Sequence, residues 1–167
     1  QPMLGTVIGD IIGSVYEFRN HRRKDFDPLF HPQARFTDDT VCTVAVADAL
    51  VRGADPQATL IDWCRRHAEN GGWGRRFAEW FMDGNPQPYG SWGNGAAMRI
   101  SPVGLLASNE DEVIAWADAA TVITHNHPDG MASARAVALA IWWARHQTSP
   151  QIIANQLTER FGYDLSS

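Results

Sequence analysis

Apolar residues fill nearly every face of residues 3 to 18 and of residues 41 to 50, a pattern that predicts two helices covered on all sides by neighbours. In the first, Gly5, Gly9 and Gly13 recur every fourth residue, which costs helix propensity but opens a flat strip where another helix can approach closely. That helix is expected at the centre of the fold. The second stops at Arg52-Gly53, and its first turn holds Asp38 and Asp39. Asp55 and Pro56 supply a cap and an N1 proline for an amphipathic helix over 59 to 68 that ends near Asn70-Gly71-Gly72. A short helix over 75 to 82 closes at Asp83-Gly84. Asn109 and Glu112 form a capping pair before a helix over 113 to 123. An Ala- and Trp-rich helix covers 132 to 146, and Ser149-Pro150 starts another that runs to Phe161-Gly162. Charges and two prolines over 19 to 35 predict a mobile loop. No segment reads convincingly as a strand, so the expected fold is an all-α, compact multi-helix bundle, one domain over residues 1–167.

Composition narrows the function classes. A length of 167 residues suffices for one domain with a real core. The 14 basic and 19 acidic residues leave a net charge of −5, which offers no general attraction to nucleic acid or to an anionic membrane. No apolar run approaches the roughly 20 residues that span a bilayer, and the N-terminus lacks a basic region followed by a cleavage site, so a soluble cytoplasmic protein is expected. Cys42 and Cys64 lie in helix-like apolar runs without CxxC spacing and read as small buried thiols. The basic cluster at 22 to 24 reads as solvated surface. Most of the seven Trp stand at helical spacing with Leu, Ile and Ala, as core residues do, and Trp92 departs from that pattern.

Candidate chemistry concentrates in four places. Phe36-Thr37-Asp38-Asp39-Thr40 puts oxygen-bearing side chains at a helix start. Thr and Asp there cap the free N–H groups and suit the helix dipole, but two carboxylates with flanking hydroxyls also begin to supply the converging oxygens a hard cation needs. Asp10, Ser14 and Glu17, at i, i+4 and i+7, share one face of an apolar cylinder and require a polar network, a cleft or a metal. Residues 85 to 102 alternate glycines with hydrogen-bonding groups before a small-residue helix start, either a long turn or a backbone cradle for phosphate. Trp92 within it is a loop anchor or a stacking surface for a ring. His125 and His127, at i and i+2 outside a strand, are poorly spaced for a metal and are expected in helix-terminal hydrogen bonding.

Gly9-Asp10-Ile11-Ile12-Gly13-Ser14-Val15-Tyr16-Glu17, Phe36-Thr37-Asp38-Asp39-Thr40, Gly93-Asn94-Gly95-Ala96-Ala97-Met98-Arg99 and Thr124-His125-Asn126-His127-Pro128 occur in this order. Together they resemble the ADP-ribosylglycohydrolase family, over residues 3 to 165. The resemblance implies an all-α hydrolase that uses two Mg²⁺ or Mn²⁺ ions to cleave the glycosidic bond between ADP-ribose and an acceptor. It makes Thr37, Asp38 and Asp39 metal ligands, with Asp38 and Asp39 catalytic together with Glu17, the acid near the scissile ribose. Asp10 is implied as a support behind the ligands. Gly93, Asn94, Gly95 and Met98 match the loop holding ribose and pyrophosphate, and His125 matches a residue at the ligand cleft.

One element of the family pattern is absent. A Gly-Asp-x-Asp-Thr run that opens a late helix in the family has no counterpart, since no Asp-x-Asp-Thr follows Asp39. The resemblance thus implies a C-terminally truncated bundle with half of the metal site. Two classes of function follow: a hydrolase acting on ADP-ribosylated substrates, or an inactive relative that binds ADP-ribose or a nucleotide or serves as an interaction protein. A homo-oligomer is expected to cover apolar surface, with Trp142, Trp143 and the helix over 150 to 161 as candidate contributors.

Overall fold

Eight α-helices and no strand occur among the residues that the computed structural model describes, 3–17, 21–25, 27–70 and 72–165. They are α1 (Met3–Gly13), α2 (Asp38–Arg52), α3 (Pro56–Arg66), α4 (Arg75–Met82), α5 (Ser101–Leu106), α6 (Glu110–Val122), α7 (Pro128–Arg145) and α8 (Pro150–Phe161), with a 3₁₀ turn at Ala68–Asn70. The chain is all-α, as its periodicity predicts. Phe18, Arg19, Asn20, Phe26 and Gly71, where the sequence places the end of the first helix, the following loop and the close of the third helix, lie outside the described residues.

The caps form where the residue types demand them. Thr37 accepts from the Asp39 N–H, Asp55 from Ala58, Asn109 from Glu112 and Ser149 from Ile152. Gly53 and Gly162 close α2 and α8 in the left-handed region, at φ 61° and 74°.

Helix α2 joins two packed groups. Cys42 and Ala45 face Leu60 and Cys64 of α3 and Phe77, Trp80 and Phe81 of α4, whereas Val46 faces α5, α6 and α7 through Val103, Val113, Ala117, Ala134 and Leu139. Both cysteines are fully buried free thiols. A side-chain hydrogen bond with Cys64, added to burial, pushes the Cys42 thiol well above its ordinary range and leaves it inert. Helices α5 and α7 cross so closely that a Cβ on Gly104 would stand 2.4 Å from the Ala138 carbonyl oxygen. Arg135 closes a two-point ion pair onto Asp118 at 2.6 and 2.7 Å between α7 and α6.

Helix α1 departs from expectation. It ends at Gly13, and none of its residues is buried. Leu4 and Ile8 are 51% and 42% exposed. Among the described residues, no neighbouring atom comes within 4 Å of a Cβ built on Gly5, Gly9 or Gly13, so the glycine strip seats none of the described helices. Its composition resembles that of a central helix, but it meets the bundle along the side facing α2 and α5, where the Thr6 and Ser101 hydroxyls meet at 3.3 Å. Trp143, expected at an interface, is 4% exposed within the core, its indole N–H donating to Glu110. Trp142 and the apolar side of α8 pack against the same core through Ile153, Leu157 and Phe161. Among the described residues no helix is long and apolar enough to cross a membrane.

Candidate active site

Asp10 joins α1 to the start of α2. Its Oδ1 accepts from the Thr37 hydroxyl at 2.6 Å, and its Oδ2 accepts from the Thr37 N–H at 2.8 Å, the Thr40 N–H at 3.2 Å and the Thr40 hydroxyl. Both oxygens are occupied inside the protein. Thr37 gives its hydroxyl proton to Asp10 and accepts the Asp39 N–H, so one donation and one capping contact fix the first turn of α2. Asp38 and Asp39 project from that turn, half-buried. Glu17 sits exposed on the turn after α1 and not on a helical face, and it still borders the same cleft as Asp10 and Ser14.

The carboxylates lack counter-charges. Among the described residues no basic side chain lies within ion-pair distance of Asp10, Glu17, Asp38 or Asp39. Burial, followed by the charge of Asp39 and then those of Glu17 and Asp10, raises the Asp38 pKa to about 7. Burial and the charges of Asp10 and Glu17 also raise that of Asp39. Gly72 passes close by at φ +84°, a backbone conformation that favours glycine, and a Cβ there would reach 2.9 Å from Asp38 Oδ1.

The facing wall grows from the segment before α5 and the junction of α6 and α7. Backbone N–H groups of Tyr89 and Ser91 donate to the Thr124 carbonyl, and the Gly90 N–H donates to Asn126 Oδ1 at 2.7 Å, which pins residues 89 to 91 to the α6–α7 junction. The following glycines stand beside His125: a Cβ on Gly95 would lie 3.1 Å from its Cε1 and 3.2 Å from its Nε2. Residues 94 to 99 form turns, with Met98 N–H on the Asn94 carbonyl, and α5 starts only at Ser101. The helix that follows the glycine stretch thus begins beyond the small residues Ala96 and Ala97, with Pro102 in its first turn. Arg99 is 1% exposed and donates to the Ala120 carbonyl and the Thr124 hydroxyl, both at 2.8 Å. Thr124 in turn meets His125 Nδ1 at 2.7 Å. Arg76 lies 5.0 Å over the Tyr89 ring, and Trp92, 72% exposed, lies 6.4 Å from His127. His127 caps α7 by accepting the Asp129 N–H, the helix-terminal role expected of it.

Between the walls lies a cleft of ≈ 960 Å³, a volume that suits a small-molecule ligand. Asp10, Glu17, Thr37, Asp38, Asp39, Gly93, Asn94, Gly95, Met98 and His125 all border it. The sequence by itself assigns no role to Arg99, Thr124, Gly72, Arg76 or Tyr89, and it reads Thr40 only as a flanking hydroxyl at the start of α2. A lone arginine within the small and apolar run Ala96-Ala97-Met98-Arg99-Ile100 is the one available signal for the first of these. The others are placed by tertiary contacts that leave no periodic trace.

Asp38 and Asp39 suit a hard cation: they are oxygen donors with raised pKa values and no basic partner among the described residues. Among the described residues no group of three or more His, Cys, Asp or Glu side chains is arranged to hold a metal ion, so the donor set fits a divalent cation incompletely. A family model described as ADP-ribosylglycohydrolase matches residues 2–162.

Proposed function

The chain belongs to the ADP-ribosylglycohydrolase family, and from that premise we propose that its cleft binds an ADP-ribosyl group and that the protein hydrolyses the bond joining this group to an acceptor. The observation that carries the reading is the convergence of the α2 carboxylates, the 93–98 loop and His125 on one volume. In this reading the glycine loop holds ribose and pyrophosphate, since glycines let backbone N–H groups come close to anionic oxygens. Glu17 takes a proton from the attacking water, whose oxygen bonds the anomeric carbon as the glycosidic bond breaks and the acceptor leaves with a proton. The carboxylates of the α2 turn face the positive charge that develops on the ribose. Asp38, Asp39 and Thr37 would hold a divalent cation such as Mg²⁺ or Mn²⁺, which would supply a grip on ribose hydroxyls and ease ionisation of the attacking water. Asp10 acts behind these residues by fixing Thr37 and the turn.

The partial donor set favours a second reading, in which the cleft binds ADP-ribose without turnover. A pair of experiments separates the two. Chromatography of free ADP-ribose released from an ADP-ribosylated peptide with Mg²⁺ is expected to show turnover, and calorimetry with ADP-ribose is expected to show binding. Binding without release supports the second reading, and neither binding nor release overturns both. A homo-oligomer belongs to the proposal as well, supported by the exposure of Leu4 and Ile8 on α1. Light scattering that shows a monomer throughout a dilution series would remove the oligomer from it.

A further inference from the structure

His125 takes its chemical state from the residue before it, and that residue takes its own from Arg99. The Arg99 guanidinium is buried, has no carboxylate partner among the described residues and donates to the Thr124 hydroxyl at 2.8 Å. Guanidinium groups only donate, so the Thr124 oxygen accepts and must send its own proton elsewhere. Thr124 is fully buried, and the other polar atom its hydroxyl meets among the described residues is His125 Nδ1, at 2.7 Å. A hydroxyl proton left without an acceptor in such a site is costly, and the adjacent cation repels the positive end of the O–H dipole. The proton therefore points at Nδ1, which accepts it. A neutral imidazole that accepts at Nδ1 carries its hydrogen on Nε2.

We propose that Thr124 and Arg99 are positioning residues that hold His125 as a neutral Nε2–H donor, presented to an oxygen of the ligand in the cleft. The ligand half of this inference rests on the reading of the cleft as an ADP-ribosyl site; the tautomer half does not. No described protein group bonds Nε2, which stands beside the bare backbone of Gly95 where the ring borders the cleft. Burial and the Arg99 charge lower the ring's pKa to about 4, so it stays uncharged near neutrality. The other titratable neighbours are Tyr89, whose ring centroid is 6.2 Å away, and Asp129 with His127 at the start of α7, which lie 3.7 Å apart at the surface. A ring in this state has neither an acidic proton to give nor a free lone pair to take one. His125 thus binds and orients, and proton transfer falls to the carboxylate wall.

The test is the two-bond ¹⁵N–¹H correlation of the histidine rings, with the His125 signals assigned by their loss in His125→Gln. From about pH 8 to about pH 5, where an ordinary histidine changes charge, the expected pattern is a protonated Nε2, an unprotonated Nδ1 and no titration. Thr124→Val is expected to mix the tautomers and to weaken ADP-ribose binding about tenfold, the loss of one buried hydrogen-bond constraint, while Thr124→Ser restores both. An Nδ1–H pattern in the wild type, a ring that titrates in that interval, or an unchanged pattern in Thr124→Val overturns the positioning role. The wild-type spectrum alone decides the tautomer if Thr124→Val fails to fold. ADP-ribose is expected to shift the Nε2 resonance. The expected tautomer with no response to saturating ADP-ribose overturns the ligand half and the reading of the cleft together, whereas the wrong tautomer with ADP-ribose bound overturns only the positioning.

Discussion

The two walls of the cleft carry opposite charges and rest on opposite kinds of support. Asp10, Glu17, Asp38 and Asp39 gather negative charge where α1 lies on the start of α2, and α1 contributes no buried residue. Arg99, Thr124 and His125 put a cation and a neutral ring in fully packed surroundings between α5, α6 and α7. Neither wall neutralises itself. A protein that only needed to fold would gain by pairing the carboxylates or replacing Arg99 with an apolar residue, because uncompensated buried charge is expensive. Unpaired charge of one sign on each side of a cleft suits a ligand that brings the complement, anionic oxygens at one wall and an electropositive centre at the other. In the proposed reading the difference also separates tasks: the packed basic wall positions the ligand, whereas the acidic wall, where Asp38 and Asp39 have raised pKa values, takes up the proton.

Removing chemistry from the acidic wall should have the largest effect. Glu17→Gln keeps the shape of the side chain and is expected to lower release of ADP-ribose by at least about 100-fold, with the unfolding midpoint unchanged because Glu17 is exposed and makes no side-chain hydrogen bond or ion pair among the described residues. Full turnover in this variant would pass the base role to Asp38 or Asp39. Asp10→Ala should act on the support instead. It strands two threonine hydroxyls and two backbone N–H groups at the α1–α2 joint, and urea denaturation is expected to show a loss of about 2–4 kcal/mol. A loss under about 1 kcal/mol would mean that α1 is not held through Asp10.

How far these walls are legible in the sequence follows from the same difference. Thr37, Asp38 and Asp39 stand in an unbroken run before an apolar helix, so local capping rules place them, and the motif order brings the 93–98 loop and His125 to the same cleft. Helix ends agree with expectation at Gly53, Asp55, Asn109 and Gly162, where a cap or a left-handed glycine decides them, whereas α3 stops at Arg66, short of the expected close near Asn70-Gly71-Gly72. Helix α1 misleads, because an all-round apolar pattern reports what a segment could bury and not what lies against it. The Arg99–Thr124–His125 chain is illegible because its first link joins residues 25 positions apart through a buried side chain. Periodicity carries no record of such a contact.

pH should separate the walls in opposite directions. Asp38 has a folded pKa near 7 against an ordinary value of 3.8, so the folded state holds the proton more tightly. The stability this gives is present at low pH and is lost as pH rises through about 7. His125 has a folded pKa near 4 against 6.5, so its contribution is present above 6.5 and is lost as pH falls toward 4. Between those limits the two slopes oppose. In metal-free protein, Asp38→Asn is expected to make stability climb more steeply with pH than in the wild type, and His125→Gln to make it fall more steeply, both read from urea midpoints across the interval. Parallel shifts in both variants would show that the walls do not titrate independently.

The smallest expected effect on stability belongs to Trp92, at the outer edge of the basic wall. A side chain 72% exposed that touches the fold through an oblique contact with His127 removes little apolar area from water on folding. Trp92→Ala should therefore change the unfolding free energy by less than about 0.5 kcal/mol. An indole exposed beside a glycine loop is nevertheless an available face for a planar ring, and stacking on it is worth about 1–3 kcal/mol per base in nucleotide recognition. Calorimetry is expected to show about tenfold weaker binding of ADP-ribose to Trp92→Ala and little change for ribose 5-phosphate, which has no base. Equal weakening of both ligands would place Trp92 beside the sugar and phosphate. A measurable loss of stability would make it an anchor of the loop, so that the rigid region of the basic wall extends outward to include the indole.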